Sequence, residues 1–191
     1  AVISIADGMI SGMTERIIGL SSLHLQAVIR RGTIPASSLD SLKEYRANLC
    51  AVGGVTDAFM ELSADALAAG KRYRTGVAVR AVEPDVFTRN KYFQKFIKVT
   101  DGDIADFAAS GNTAAIGEKA ASLLSVKPGD TVRLITVRRL PSGAASPCVT
   151  PFKVSAIVSS GYQELDALWF FIPIETGFSV LSSDSAVASV L

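Results

Sequence analysis

Side chains able to carry out chemistry are few and scattered in this chain. His24 is the only histidine. Serine or cysteine hydrolysis needs a base next to its nucleophile, and zinc sites generally take more than one imidazole. His24 lies on a predicted strand with no acid at helical spacing and no cysteine nearby, so its expected role is structural or at the surface. Asp101, Asp103 and Asp106 form the run DGDIAD. Oxygen ligands at alternate positions suit calcium, but the loop lacks, at the required spacing, the glycine and the terminal glutamate of an EF-hand. A solvated turn that caps the following element is expected instead. Cys50 and Cys148 are too few for a disulfide framework. Two unpaired, buried thiols are the expectation, with a single bridge as the alternative.

No GxxxxGK[ST] loop, GxGxxG turn or GxSxG elbow occurs in the sequence. The middle of the chain is basic, with Lys71, Arg72, Arg74, Arg80, Arg89, Lys91, Lys95 and Lys98 interleaved with Tyr73, Phe87, Tyr92, Phe93 and Phe96. That pattern fits a stacking platform for single strands. It equally fits long basic side chains covering apolar residues on a wetted face. With a net charge of +1 over 191 residues and no RNP or KH signature, nucleic acid is not an expected partner. The residues point to a non-enzymatic protein with no catalytic group, no metal and no cofactor.

The elements are clearer than the chemistry. Apolar residues make up 49% of the chain, which is ample for a core. Ile3, Ala6, Ile10, Met13, Ile17 and Leu20 recur at spacings of three and four, which predicts a helix over Val2–Leu20 with one apolar stripe. Leu23–Arg30 alternates as a strand. Ser37 or Ser38 caps a helix that reaches Leu49. Thr56–Ala68 and Tyr73–Val82 form a hairpin about Ala69-Gly70-Lys71. Pro84–Phe96 holds a short helix.

Ala114–Ile116 reads as a buried strand end, Gly117 as a close-packed pivot and Glu118 as the start of a helix. Lys127-Pro128-Gly129-Asp130 is a turn. Thr131–Val137 alternates, with Val132, Leu134 and Thr136 on one face. Phe152–Ser160 and Leu168–Ile172 read as strands, and Ile174–Ser182 as a last helix.

Arg138–Pro151 reads as a long loop between two strands. Loops of that length are often functional. Its three prolines lower the entropy cost of holding it extended, and Leu140 and Val149 are apolar groups for a partner to bury. The alternative is a plain flexible connection.

No apolar run is long enough to span a membrane. The chain opens in helical register without Met or a basic leader, and Ala186–Leu191 is apolar and helix-friendly. Both ends are therefore expected to continue into further segments.

Several stretches together resemble the periplasmic domain of the LolC/LolE family, the permease subunits of the lipoprotein-releasing ABC transporter, within the wider FtsX/MacB-like class. Asp7-Gly8 followed by Glu15-Arg16-Ile17-Ile18-Gly19 is similar to that family's NGF-x-x-x-L-x-x-R-I-L-G, and Leu23-His24-Leu25 to its Pro-His strand. Ala115–Arg133 resembles its I-L-G-x-x-L-A-x-x-L-G-V-x-x-G-D-x-V. Phe152–Ile157 and Gly161–Asp166 resemble its F-x-V-x-G-x-F strand and S-G-x-x-E-x-D motif, and Ile174–Leu181 its segment before the second membrane helix. Ser125 and Ala156 stand where the family commonly has glycine.

The resemblance implies an α+β, two-lobed periplasmic domain. A porter-like lobe comes from residues 1–63 and 152–191, and a β-rich lobe over 64–151 is inserted between them. It implies a bacterial inner-membrane permease with this domain in the periplasm, a cytoplasmic ATPase subunit and a second permease subunit, as homodimer or heterodimer. It also implies a lipoprotein cargo and a periplasmic lipoprotein carrier. The carrier would be gripped by a hook-like loop: Arg138, Arg139, Leu140, Pro141, Ser142, Gly143, Pro147, Val149 and Pro151. A MacB- or FtsX-type domain for drug or peptide export, or for regulating a cell-wall hydrolase, is the alternative.

Overall fold

The structure is a computed structural model. It describes residues 12–16, 18–20, 25–28, 39–108, 111–139, 144–181 and 187–190. Residues 12–16 and 18–20 are helical; the rest of the predicted first helix, His24, and Ser37 with Ser38 lie outside the described residues. The strands are β1 (Ala27–Val28), β2 (Met60–Ala69), β3 (Arg74–Val82), β4 (Lys98–Gly102), β5 (Thr113–Gly117), β6 (Thr131–Arg139), β7 (Ala145–Ser159), β8 (Trp169–Pro173) and β9 (Val187–Val190). The helices are α1 (Leu39–Cys50), α2 (Val86–Arg89), α3 (Lys91–Phe96), α4 (Ala105–Ala108), α5 (Glu118–Leu124), α6 (Gln163–Leu168) and α7 (Ile174–Val180). The fold is α+β.

All nine strands join one sheet. The pairings β2–β3–β8–β5–β7–β6, with β6 returning to β2, form a closed circuit. Strands present alternate residues to opposite faces, and the core divides accordingly. Val77, Val79, Phe170, Ile172, Ala114 and Ile116 join Val132, Leu134 and Phe152 in one buried cluster. Their neighbours in sequence, Phe171, Trp169 and Ala115, with Val82 beside the first cluster's Ala81, face a second cluster built on Phe87, Phe93, Phe96 and Phe107. In that second cluster Phe87 sits edge-on to Phe107 and Phe171, with ring centroids 5.4 and 5.5 Å apart. Aromatic pairs favour this offset geometry.

The strand–helix–turn–strand over 114–137 forms as its residues predict. Gly117 opens α5, and a Cβ there would lie 2.2 Å from the carbonyl oxygen of Asp166. Asp130 closes the turn: its backbone N–H donates to the Lys127 carbonyl (3.0 Å), and its carboxylate accepts from the Lys127 N–H (3.0 Å). Val132, Leu134 and Thr136 are buried. Asp103 accepts from the Ala105 N–H at 2.8 Å and so caps α4.

Several expectations change. Of the segment Arg138–Pro151 expected as a loop, residues 138–139 and 145–151 are strand, because Thr131–Arg139 and Ala145–Ser159 pair directly, from Thr131↔Lys153 to Arg139↔Ala145; residues 140–143 lie outside the described residues. The apolar C-terminal stretch forms strand β9 rather than helix, because β2 offers it a free edge at Met60–Ser63. The strand predicted over Leu23–Arg30 is two residues long among the described residues, and Thr56–Phe59 precede the strand expected to contain them. Pro84–Phe96 holds two helices, the second begun by Asn90, whose side chain accepts from the Tyr92 and Phe93 N–H groups. Helices α4 and α6 were not anticipated. Both cysteines are free as expected, but Cys50 is exposed and Cys148 half-buried. Strands β2 and β7 run across positions 63/64 and 151/152, where the two lobes are expected to meet.

Candidate functional site: an anchor and an arm on one strand

The head of β2, Met60–Ser63, gathers both described extremities of the chain. Strand β9 pairs along it, with Met60↔Val190 and Glu61↔Ser189. The helical segment ending at Leu20 reaches it through Arg80 on β3. The Arg80 guanidinium donates to both carboxylate oxygens of Glu61 (3.0 and 2.6 Å) and to the Leu20 carbonyl (2.6 Å). It also lies 5.7 and 5.5 Å from the ring centroids of Phe93 and Phe171. Glu61 and Arg80 are both buried. The forked guanidinium suits this site because it meets a carboxylate with two parallel bonds and still has a donor for a third oxygen. Glu83 extends the network. It accepts from the Met60 N–H at 3.0 Å and pairs with Arg46 of α1.

The N-terminal helix is held by more than this pair. Leu20 is buried. Arg16 donates to the Ser160 carbonyl at 3.3 Å and stacks over Phe96 (5.0 Å) and Tyr162 (5.4 Å). Glu15 accepts from Lys95 at 2.6 Å. Gly19 lies against Tyr92 so closely that a Cβ would come within 2.4 Å of the ring. Asp166 pins the segment beneath Arg16, accepting from the Ser159 hydroxyl (2.7 Å) and from the Ser160 N–H and hydroxyl (2.8 and 2.7 Å).

The basic and aromatic residues of 71–98 thus resolve mostly into scaffold. Arg80 is internal, and Phe87, Phe93 and Phe96 are core. Arg89 binds Asp57 and Asp85 and covers the Phe59 ring at 4.6 Å. Burial pulls the Arg89 pKa down, but the Asp57 hydrogen bond and the charges of Asp85, Asp57 and Glu83 outweigh it, so the net direction is up.

The tail of β2, Leu67–Ala69, pairs with Ile135, Leu134 and Arg133 of β6. Beyond Ile135 the β6–β7 hairpin leaves the sheet as a two-stranded arm. Strand β5 supports β7 only from Lys153 onward. On the arm's outer face Val137 is 54% and Val149 53% exposed, with Pro147 and Pro151 also exposed. Pro147 faces Val137 and Pro151 faces Arg133 across the ladder. Proline carries no N–H, so these two blunt a strand edge that otherwise invites pairing.

Of the residues picked from sequence, Arg138 and Arg139 end β6, Pro147, Val149 and Pro151 lie on β7, and Leu140, Pro141, Ser142 and Gly143 lie outside the described residues. Val137 was missed as a site residue, although the alternation of 131–137 already sets it opposite Val132 and Leu134. Glu61 was missed because a lone acid in an apolar strand gives no hint of its partner. Among the described residues no group of acids, cysteines and histidines is arranged to hold a metal. Among them also, no helix is long and apolar enough to cross a membrane.

No curated protein matches the chain in sequence. Solved structures similar to it include two periplasmic or extracellular transporter domains. The periplasmic region of MacB from Actinobacillus actinomycetemcomitans is 14% identical with a TM-score of 0.47, over 77% of this chain and 63% of that one. The extracellular domain of the ABC-type transporter YknZ from Gram-positive bacteria is 14% identical with a TM-score of 0.52, over 87% of this chain and 81% of that one. The chain therefore spans less than two thirds of the MacB region, and the YknZ domain shares its fold. The sequence matches the family described as the MacB-like periplasmic core domain over residues 1–190, and the chain belongs to that family.

Proposed function

We propose that this is the periplasmic domain of an inner-membrane ABC-transporter permease, and that β2 carries movement from the anchor to the arm. The observation behind this reading is that one strand serves both regions. Its head holds the N-terminal helix and β9, and its tail holds the base of the arm. Glu61 and Ala68 are seven residues apart, roughly 23 Å along an extended strand. Both ends of that strand are fixed by pairing and burial, so a displacement of the N-terminal helix moves the arm as a unit. The domain is non-catalytic in this reading. ATP hydrolysis belongs to a separate cytoplasmic subunit, and a second permease subunit completes the transporter.

The arm is the partner-binding element, with Val137, Val149, Pro147 and Pro151 as the surface a partner covers. Residues 131–153 carry Arg133, Arg138, Arg139 and Lys153 and no acid, so an acidic partner is favoured. In the first form of the proposal the cargo is a lipoprotein and the partner a periplasmic lipoprotein carrier. In the second form the permease exports a drug or peptide, or regulates a cell-wall hydrolase; the MacB-like family membership supports both forms equally.

One experiment separates the two. Residues 138–151 are replaced by a short Gly-Ser turn in the full-length permease, and carrier capture and lipoprotein release are measured. Loss of both supports the first form. Normal lipoprotein release with loss of export supports the second. If every transport readout is unchanged, the arm has no part in transport and the proposal fails.

A further inference from the structure

A cavity of about 640 Å³ opens between β1, the C-terminal end of α1, residues 54–59 and the start of α3. Small-molecule sites commonly measure about 300–1,000 Å³. Leu25, Leu49, Val55, Phe59 and Tyr92 are among the residues that line it. Leu25 is 80% exposed, so an apolar side chain stands open to solvent there.

Three charged residues line the cavity: Asp57, Arg89 and Lys91. Asp57 is already occupied. It accepts from the Ala58 N–H (2.8 Å) and from two guanidinium nitrogens of Arg89 (both 3.2 Å). Arg89 is held further by Asp85 at 2.7 Å and by the Phe59 ring. Among the described residues Lys91 has no ion-pair partner. The cavity thus combines an apolar wall with one uncompensated positive charge.

We propose that this cavity binds a single-chain amphiphile with an anionic head. The chain lies in the apolar part of the cavity, and the head pairs with Lys91. The proposal needs only the cavity and its charges, so it stands or falls apart from the transport reading. A free fatty acid and a single-chain phospholipid share the required chemistry.

The test follows dansyl-undecanoate fluorescence on the 191-residue chain. One saturable site per chain is expected, with laurate displacing the probe. Each methylene added to the competitor strengthens binding about fourfold, the equivalent of about 0.8 kcal/mol. Dodecanol, which lacks the charge, competes at least tenfold more weakly than laurate. Lys91→Glu, a surface change, weakens laurate at least tenfold and leaves dodecanol unchanged; Lys91→Ala gives a smaller loss of the same kind. Thr56→Trp, at an exposed position in the wall, blocks both competitors. Tighter binding of lysophosphatidylglycerol than of laurate assigns the site to a phospholipid, and the reverse assigns it to a fatty acid. No saturable site, or probe binding that survives Thr56→Trp, overturns the cavity as a site. Equal competition by dodecanol and laurate, or no effect of Lys91→Glu, overturns the anionic head.

Discussion

The two ends of β2 are fastened by opposite means. At Met60–Ser63 the strand lies among buried charge and aromatic rings: Glu61 against Arg80, Arg80 against the Leu20 carbonyl, Phe93 and Phe171 around them. At Leu67–Ala69 it passes to a hairpin whose outer face is exposed valine and proline. Desolvated charges are costly to break and directional, so the first end has one permitted geometry. At the second end Ala68 and its partner Leu134 are core, and it is the outer face of the arm beyond them that leaves apolar surface for something else to cover. The difference separates a position where mutation is expected to unfold the protein from one where mutation is expected to leave the fold intact.

The sharpest way to break this contrast is at the anchor. Arg80→Ala leaves Glu61 buried without its partner, and such losses run to about 3–5 kcal/mol. Urea denaturation of the variant is expected to show a fall of that size. Replacing both members, Glu61→Leu with Arg80→Met, removes the stranded charge and restores most of the stability. It also removes the bond to Leu20. In the full-length permease the double variant is therefore expected to fold but to couple poorly. Normal transport by the double variant would remove the anchor from the mechanism.

Ser125 offers a milder test, on scaffold shared by both regions. It closes α5 with φ 55° and ψ 50°, the left-handed conformation. A side chain there costs roughly 1–2 kcal/mol relative to ordinary backbone, and glycine carries no such penalty. Ser125→Gly is expected to raise stability by about 1 kcal/mol, read as a higher denaturation midpoint with an unchanged slope. A loss of stability would mean that the serine side chain contributes more than its backbone strain takes away.

This residue also shows how far sequence reading reaches. Ser125 is legible in the sequence as a departure from a glycine position, and its left-handed backbone is the physical reason for glycine there. The turn at Asp130 and the inward face of 131–137 were legible because each depends on residues within a few positions of one another, whereas the neighbour that requires Gly117, the Asp166 carbonyl, lies far along the chain. The anchor was not legible. Glu61 and Arg80 are nineteen residues apart and meet only because β2 and β3 pair in one register, Ser63↔Arg80. Prolines hid the arm: Pro147 and Pro151 argue against a strand in isolation, and only an edge position reconciles them with one. The last strand was misread because Val187–Val190 takes its conformation from the free edge it joins.

At the arm the expected effect on stability nearly vanishes. Val137→Ser with Val149→Ser changes two exposed side chains outside both buried clusters. Surface changes of this kind usually stay within about 0.5 kcal/mol. Binding of an arm partner is expected to fall at least tenfold, measured by titration against the purified partner. A large stability loss with binding intact would invert the contrast, making the arm scaffold.

The smallest effect lies at the arm's base, where the fastening is by charge but at the surface. Asp130 accepts from Lys71 Nζ at 2.6 Å and from the Lys127 N–H at 3.0 Å. The Lys71 hydrogen bond, then the Lys127 N–H, holds the Asp130 pKa below its ordinary value. The folded state thus releases this proton more readily than the unfolded chain, whose aspartates titrate near 3.9. The stabilisation is complete above that pH and is lost as pH falls through the lower, folded value. Asp130→Asn is therefore expected to sit slightly below the parent protein at neutral pH and to converge with it in acid below about pH 4. Denaturation midpoints of the two proteins across that range check the sign. Curves that stay parallel into acid would mean that Lys71 and Asp130 contribute nothing to folding, leaving the arm's base held by the β2–β6 pairing alone.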